Sequence, residues 1–166
     1  MIHNNSSSMD LDNSASEVVI ENYDSSCFNQ LYLLLEDVYS TKITQSILER
    51  NYLGQDKQIV LALLNSRVVG CAFLDYNTDY IRDRRTVFVS YVAVDSSVRQ
   101  KGIGSKIFSE IENRAKHRKC SAIELTSANY RTSAHAFYHA LGFTKKQTTV
   151  FIKELSVNSE NGADEI

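Results

Sequence analysis

The sequence predicts an α/β (α+β) fold in a single domain of three layers, with a mixed, mostly antiparallel central sheet flanked by about four helices. Three observations predict it. Strand-like and helix-like segments alternate over most of the chain, and two apolar runs joined by Asn65-Ser66-Arg67 indicate a hairpin. The 166 residues are 43% hydrophobic, which is enough for one sizeable core.

The first half is predicted from β-branched runs, helical spacing and turn residues. Asp24-Ser25-Ser26 is typical of a helix start, and Leu31, Leu34, Leu35 and Val38 follow it at helical spacing. In chain order the predicted segments are a strand at Glu17–Glu21, this helix, a short helix at Thr44–Tyr52 ended by Gly54, hairpin strands at Gln58–Leu64 and Val68–Tyr76, a charged loop at Asn77–Arg84 and a long buried strand at Thr86–Val94.

The second half is predicted to alternate between helices and strands. The polar stretch Asp95–Gly104 leads into an amphipathic helix, and Gly142 stops a later one. The apolar positions of the first helix are Ile103, Ile107, Phe108, Ile111 and Ala115. The other predicted elements are a strand at Ser121–Thr126, a helix at Thr132–Leu141 and a final strand at Thr148–Leu155.

Both ends of the sequence are polar, and we expect them to lie outside the folded domain. Residues 1–16 are rich in Ser, Asn and Asp, which predicts a disordered leader, and residues 156–166 predict a flexible acidic tail. The predicted domain is therefore 17–155. The leader lacks the apolar core of a secretory signal, and no run in the sequence approaches a membrane span.

The three cysteines, Cys27, Cys71 and Cys120, are widely spaced among apolar neighbours. No CxxC pair or Cys/His cluster is present that would gather a metal ion. This pattern predicts buried free thiols in a reducing compartment, and so a cytoplasmic protein without a metal site.

The charge is distributed unevenly along the chain. Residues 1–94 contain 7 Lys/Arg and 12 Asp/Glu, residues 95–153 contain 11 and 4, and residues 154–166 contain 0 and 4. A basic block can meet nucleic acid, but no DNA-reading helix signature accompanies it. A polyphosphate cofactor explains the basic segment better, and we expect no nucleic-acid partner.

The most informative segment is Arg99-Gln100-Lys101-Gly102-Ile103-Gly104, between the long buried strand and the amphipathic helix. Glycine allows the backbone to approach a ligand closely. The first amides of a helix have no partners within the helix, and its N-terminus carries partial positive charge, so an anion is favoured there. The segment has the properties of a phosphate-binding turn, although a simple strand-to-helix turn would have similar residues.

Two other phosphate loops fit poorly. A P-loop needs Gly-Lys-Ser/Thr, whereas Lys101 precedes Gly102 and the other order is Gly104-Ser105-Lys106. A dinucleotide fold needs a third glycine where Ile107 stands, and its acidic residue would be Glu124, inside a predicted strand. A non-CoA nucleotide is therefore the least favoured ligand.

Two blocks of the sequence resemble one known family. V-x-V-x-x-x-x-R-x-x-G-I-G, from Val92 to Gly104, looks like the acetyl-CoA motif of the GNAT N-acetyltransferases, and A-H-A-F-Y-H-A-L-G-F at 134–143 resembles that family's A-x-x-F-Y-x-x-L-G-F. The resemblance covers about residues 17–155 and implies a GNAT fold. The 127–138 stretch is also similar to aminoalkylphosphonate acetyltransferases.

The resemblance implies that the chain binds acetyl-CoA. In the family, the strand before the loop splays from its neighbour, and its backbone pairs with the pantetheine arm and polarises the thioester carbonyl. An amide aimed at the developing oxyanion is worth about 3 kcal/mol. Many members carry Asn seven residues before the motif tyrosine, where this chain has Arg131. The implied cofactor-binding residues are Tyr91, Val92, Ala93, Val94, Arg99, Gln100, Lys101, Gly102, Ile103, Gly104, Ser105 and, as the nearest asparagine, Asn129.

The resemblance also implies a catalytic acid. Tyr138 matches the tyrosine that protonates the departing coenzyme A thiolate, although a tyrosine on an apolar helix face also suits a core. An ammonium has no lone pair, so the acceptor needs a base. The sequence does not decide which residue this is: Glu124 is the tentative choice, with Tyr91 and Asp75 as alternatives, and His135 and His139 flank the tyrosine.

The acceptor is expected to be a small-molecule amine. Residues 22–56 are acidic overall, which favours a cationic amine, whereas Arg82, Arg84 and Arg85 suit a phosphonate or carboxylate, or are a solvated turn. Two alternatives remain: a protein or peptide acetyltransferase acting on lysines or N-termini, and a catalytically silent acyl-CoA-binding sensor. We expect a monomer or homodimer.

Overall fold

The computed structural model describes residues 17–155, and the predicted leader and tail lie outside these residues. The described chain separates into two compact units, one up to Ala128 and one from Asn129 onward. We describe each unit by itself. The boundaries of the predicted domain stay a prediction.

The first unit contains a five-stranded sheet in the order β1-β2-β3-β4-β5. Strands β1 to β4 are antiparallel neighbours, and β5 pairs parallel to β4. The strands are β1 (Val18–Asn22), β2 (Lys57–Leu64), β3 (Arg67–Asp79), β4 (Arg84–Val94) and β5 (Ala122–Leu125). The helices of this unit are α1 (Phe28–Tyr39), α2 (Gln45–Tyr52) and α3 (Ile103–His117), and α4 (Thr132–Ala140) belongs to the second unit. The mixed, mostly antiparallel sheet and the α/β class are confirmed.

Local sequence signals explain where these elements begin and turn. The side chain of Asp24 accepts a hydrogen bond from the Ser26 amide at 2.9 Å and caps a short 3₁₀ turn before α1. Thr44 caps α2 in the same way. The β2–β3 hairpin turns at Asn65 and Ser66, whose φ angles of 51° and 61° match the twist of the flanking strands.

Helices cover both faces of the sheet in this unit. One face packs on α1 and α2 in a core that contains Leu31, Leu35, Leu48, Ile59 and Phe73. Alternate strand residues point the other way, towards the buried side of α3. Gly70 lies on that second face, where an added Cβ would come within 2.9 Å of Ile107 Cδ1. The glycine therefore lets α3 pack closely on β3.

Three local predictions are wrong. The loop expected at Asn77–Arg84 is shorter, because β3 continues to Asp79 and β4 begins at Arg84; charged side chains at a sheet end do not prevent backbone pairing. Helix α2 ends at Tyr52 with Leu53 already extended, so Gly54 is not its cap. The final strand predicted at Thr148–Leu155 is not formed.

Residues 148–155 have no regular secondary structure, and Val150, Phe151 and Ile152 are exposed. Their β-branched and aromatic composition favours a strand, but a strand also needs a partner backbone. The sequence carries no information about that partner.

Candidate active site

Strand β4 changes character at about its midpoint. Its parallel pairing with β5 covers only Thr86–Val89, opposite Ala122–Leu125. From Ser90 to Val94 the strand continues past the last paired residue of β5, and no described residue pairs with it on that side. A strand edge without a neighbouring strand is a place where an extended ligand can add. The binding roles expected for Tyr91, Val92, Ala93 and Val94 stay a prediction.

A β-bulge lies in the same stretch. On the β3 side, Phe73 pairs with Ser90 and Cys71 pairs with Ala93, so two β4 residues stand opposite one β3 residue. Tyr91, one of the two, has a left-handed φ of 47°, which is uncommon for a residue other than glycine. The bulge redirects the peptide groups of Tyr91 and Val92 away from the regular ladder.

Side chains hold two carbonyl groups of the bulge. The Cys71 thiol contacts the Tyr91 carbonyl oxygen at 3.4 Å, and the Tyr39 hydroxyl donates to the Val92 carbonyl oxygen at 2.8 Å. Cys71 is completely buried, and burial raises the pKa of its thiol to about 12. The thiol therefore stays protonated at neutral pH and acts as a small buried donor.

The loop after β4 begins with a fixed carboxylate. Asp95 accepts hydrogen bonds from the amide and hydroxyl of Ser97 at 2.8 and 2.7 Å and pairs with Arg67 at 3.0 Å. The bonds from Ser97, and then Arg67, lower the pKa of Asp95. Arg99 Nε donates to the Val94 carbonyl oxygen at 3.0 Å. The sequence did not identify Asp95 as a residue that shapes the loop.

The helix start after this loop has the conformation expected of an anion site. Gln100 and Gly102 have φ angles of 62° and 77°. Gly102 is the N-cap of α3, without a side-chain cap, and its carbonyl oxygen accepts the amide of Lys106. The preceding amides, those of Ile103, Gly104 and Ser105, therefore come before the first intrahelical bond. The first turn of α3 contains no acidic residue.

Glycine is needed at position 102 for its backbone angle. An added Cβ there would meet nothing within 4 Å, so no neighbouring atom would clash with a side chain. The left-handed angle itself disfavours other residues. Lys101 is exposed beside it and contributes positive charge.

An aromatic cluster that the sequence analysis did not predict surrounds the bulge. The ring of Tyr91 lies 5.5 Å from that of Tyr39, 5.8 Å from Tyr52 and 5.2 Å from Phe73. The hydroxyls of Tyr52 and Tyr91 are 3.5 Å apart, and this contact together with burial raises the pKa of Tyr52 to about 12. The tyrosines come from α1, α2 and β4, so no local spacing in the sequence brings them together.

The candidate bases separate into two places. Tyr91 lies at the bulge, whereas Asp75 and Glu124 both flank Phe88, three positions earlier in β4 and so about 10 Å away along the strand. Glu124 pairs with Arg84 at 3.3 Å, and Asp75 lies 3.9 Å from Lys57. The structure thus brings Tyr91, but not the two carboxylates, to the open part of β4.

The arginines of the β3–β4 connection also have carboxylate partners. Arg82 pairs with Asp79 at 2.8 Å, and Arg85 pairs with Asp56. With Arg84 bound to Glu124, each of the three guanidinium groups has an internal anion. This pairing accounts for the basic residues without a phosphonate ligand.

The second unit contains Tyr138 on α4. Its ring contacts those of Phe137 and Phe143, and burial raises the pKa of its phenol while Arg131 opposes that effect. The phenol therefore keeps its proton at neutral pH. Gly142, with φ of 86°, follows the helix as predicted.

The other candidates of this unit have simpler surroundings. A ring nitrogen of His139 lies 3.0 Å from the carbonyl oxygen of Phe143, which ties the imidazole to the end of its own helix. Asn129 is exposed ahead of α4, and His135 is half-buried within it. Nothing in the structure tests the roles assigned to these three residues.

Within residues 17–155, no three His, Cys, Asp or Glu side chains are grouped as metal ligands. No helix among those residues is both long enough and apolar enough to cross a membrane.

The GNAT acetyltransferase family model matches residues 21–143, which is more than half of the chain. The chain belongs to the GNAT acetyltransferase family. In sequence, 52 residues are 36% identical to the uncharacterized protein YdhI of Bacillus subtilis. That match spans 31% of this chain and 32% of YdhI, about a third of its length.

Solved structures of similar fold include three acetyltransferases. One, from an uncultured soil metagenomic sample, is an aminoglycoside acetyltransferase in complex with sisomicin, with a TM-score of 0.76 at 19% identity, covering 84% of this chain and 97% of that one. Glucosamine-6-phosphate N-acetyltransferase from Arabidopsis thaliana has a TM-score of 0.71 at 18% identity, covering 82% and 98%. An acetyltransferase described as putative, from Agrobacterium tumefaciens, has 0.75 at 18%, covering 82% and 99%.

These structural similarities establish the fold, and with the family match they confirm the predicted GNAT architecture. The narrower likeness to aminoalkylphosphonate acetyltransferases stays a prediction.

Proposed function

We propose that this GNAT acetyltransferase is an acetyl-CoA-dependent enzyme that acetylates a primary amine of a small molecule by direct attack in a ternary complex. One observation carries the proposal. The edge of β4 at Ser90–Val94, which no described strand pairs on the β5 side, is followed after a short loop by a left-handed glycine and a helix start without a side-chain cap. An extended thioester arm suits the first feature, and a pyrophosphate suits the second.

The loop residues fit a diphosphate by charge and by backbone conformation. Amides of Gln100, Gly102, Gly104 and Ser105 would hold the phosphate oxygens, and Lys101 would add charge. Arg99, whose Nε is bonded to the Val94 carbonyl oxygen, would hold the loop against β4. Backbone groups of Tyr91–Val94 would bind the pantetheine arm.

Acetyl-CoA supplies an activated acetyl group on sulfur. In the transfer, the amine nitrogen attacks the thioester carbonyl carbon, a C–N bond forms and the C–S bond breaks. The amine gives up a proton, and the departing thiolate gains one. We assign to Tyr138 the proton that the departing thiolate gains, because its phenol is protonated at neutral pH and occupies the tyrosine position of the second GNAT motif.

The base is less constrained. We assign Glu124 as the base, and its ion pair with Arg84 and its place beside Phe88 favour a route through water or through the hydroxyl of Tyr91.

The acceptor class follows from charge. In residues 22–56, five acidic residues outnumber two basic ones, and Glu36 and Asp37 are exposed on α1. The arginines that would suit a phosphonate are paired internally. A cationic amine is therefore the favoured acceptor. The aminoglycoside acetyltransferase of similar fold is consistent with this choice. Three free cysteines support a cytoplasmic setting.

Thermal melting with and without acetyl-CoA tests the cofactor without needing the acceptor. At about 100 times its dissociation constant, a ligand adds about 2.7 kcal/mol to the free energy of unfolding, so we expect a clear upward shift of Tm. NAD and ATP are the controls and should have little effect. No shift with acetyl-CoA would overturn the proposal; a shift leads to a thiol-release screen of amines, aminoglycosides, lysine peptides and aminophosphonates.

The same assays test Tyr138. We expect Tyr138→Phe to lower turnover by about a hundredfold or more, the size of a general-acid contribution, and to keep the shift with acetyl-CoA. Tyr130→Phe, at an exposed tyrosine of the same unit, is the matched control. Full activity in Tyr138→Phe would remove this residue as the acid. In the acceptor screen, transfer to peptides alone would favour a protein acetyltransferase.

A further inference from the structure

We propose that Tyr39 is a positioning residue for the thioester: its hydroxyl fixes the peptide group between Val92 and Ala93 in the open stretch of β4. The inference rests on the proposed function, because it concerns how the acetyl group is recognised. Tyr39 lies outside both sequence motifs and is 53 positions from Val92 in the chain.

The first step is the hydrogen bond itself. The Tyr39 hydroxyl donates to the Val92 carbonyl oxygen at 2.8 Å, a short and well-formed bond. Val92 lies beyond the last residue of β4 that pairs with β5. On that side, therefore, no described strand fixes the direction of this carbonyl, and a side chain from α1 holds it.

The second step is the planarity of the peptide group. A trans peptide directs its C=O and N–H in opposite directions, and the described residues contain no cis peptide bond. The Ala93 amide points the opposite way from that carbonyl and donates a hydrogen bond to the Cys71 sulfur, so both ends of this peptide group are held by the protein. Fixing this peptide group limits rotation of the adjoining Val92 amide, which is the amide that we assign to the thioester oxygen.

The third step is the rigidity of the donor. Tyr39 is the last residue of α1, and the next residue, Ser40, closes the helix with a left-handed φ of 53° and an amide bonded to the Glu36 carbonyl at 2.8 Å. The Tyr39 ring also packs edge-on against Tyr91 at 5.5 Å. The hydroxyl thus reaches β4 from a fixed helix end.

Acetyl-CoA and coenzyme A differ in the group that this arrangement would recognise. Only acetyl-CoA has a thioester carbonyl, and under the proposed function an amide in Tyr91–Val94 binds that oxygen. Loss of the Tyr39 hydroxyl should therefore weaken acetyl-CoA binding more than coenzyme A binding. A residue needed only for folding would not change the ratio of the two affinities.

Calorimetric titration of wild type and Tyr39→Phe with acetyl-CoA and with coenzyme A tests the inference. Tyr39→Phe keeps the ring and removes the donor. We expect its preference for acetyl-CoA over coenzyme A to fall about three- to tenfold, the size of one ordinary hydrogen bond. The matched control is Tyr32→Phe, on the same helix, whose hydroxyl lies 3.4 Å from Glu36 instead of β4.

The outcomes separate the two proposals. If wild type binds both ligands and Tyr39→Phe has an unchanged preference, the role of Tyr39 is overturned and the proposed function stands. Equal weakening of both ligands would also overturn it, because that result indicates a structural effect. If wild type binds neither ligand, the proposed function fails, and this role fails with it.

Discussion

The two halves of strand β4 have different tasks, although they are continuous in sequence and both rich in valine. From Thr86 to Val89 the strand is paired on both sides, and Val87 and Val89 are buried. From Ser90 to Val94 its one described strand partner is β3; this half contains a bulge and has Tyr91 in a left-handed conformation. The first half stabilises the sheet, and under the proposed function the second half provides backbone groups for acetyl-CoA.

This difference follows from the length of the neighbouring strand. β5 has only four residues, so it stops pairing where the bulge begins. Side chains then take over from strand neighbours: Cys71 and Tyr39 contact the carbonyls of Tyr91 and Val92. A strand can thus contain a binding site when its partner strand is short and side chains from other elements bind the backbone groups that the partner leaves unpaired.

The largest effect is expected from a cavity in the paired half. Val87→Ala removes two methyl groups from a completely buried site and should lower the free energy of unfolding by about 2 kcal/mol. Val92→Ala, at a half-buried position in the open half, should cost less than about 1 kcal/mol. Urea unfolding measures both, and equal losses would contradict the division of β4.

A smaller effect is expected where the open half enters the loop. Gly102→Ala places a Cβ on a backbone with φ of 77°, which should cost about 1 kcal/mol of stability and shift the amides around the helix start. We expect acetyl-CoA affinity to fall about tenfold. Gly142→Ala has the same backbone strain at φ of 86° and open space around it, so it is the control. Equal acetyl-CoA affinity in the two variants would remove Gly102 from the site.

Local patterns in the sequence predicted most of the fold. Several features depend on residues close together in the chain. They are the cap of the 3₁₀ turn at Asp24, the cap of α2 at Thr44, the β2–β3 hairpin turn and the buried face of α3. The strand expected at Thr148–Leu155 failed because pairing depends on a distant backbone. The predicted elements were reliable where a nearby residue decides them.

The candidate site was predictable in part for the same reason. The loop at Arg99–Gly104 is a contiguous motif that the sequence identifies, and within it Gly102 has a left-handed φ of 77°. The contribution of Tyr39, Tyr52 and Cys71 was not predictable, since these residues meet Tyr91 and Val92 only after the sheet and helices pack together. Side chains that support a bulge have no sequence spacing by which to recognise them.

The smallest effect concerns the thiol that supports the bulge, and it depends on pH. Burial raises the pKa of Cys71 to about 12 in the folded protein, above its ordinary value, so the folded state binds more protons than the unfolded state once the pH exceeds the unfolded pKa. Stability contributed by this thiol is therefore complete below that pKa and is lost as the pH rises towards the folded pKa. Between pH 8 and pH 10 we expect a loss of about 1 kcal/mol.

Urea unfolding of wild type and Cys71→Ala at pH 8 and pH 10 measures this loss. The variant has no thiol to ionise, so its decline over this interval should be smaller by about 1 kcal/mol. Cys27→Ala is the control, because Cys27 is half-buried at the start of α1 and makes neither of the side-chain hydrogen bonds to the bulge. A decline of the same size in wild type and Cys71→Ala would show that the bulge is not supported by a protonated thiol. Of the two side-chain donors, Tyr39 alone would then support the open half of β4.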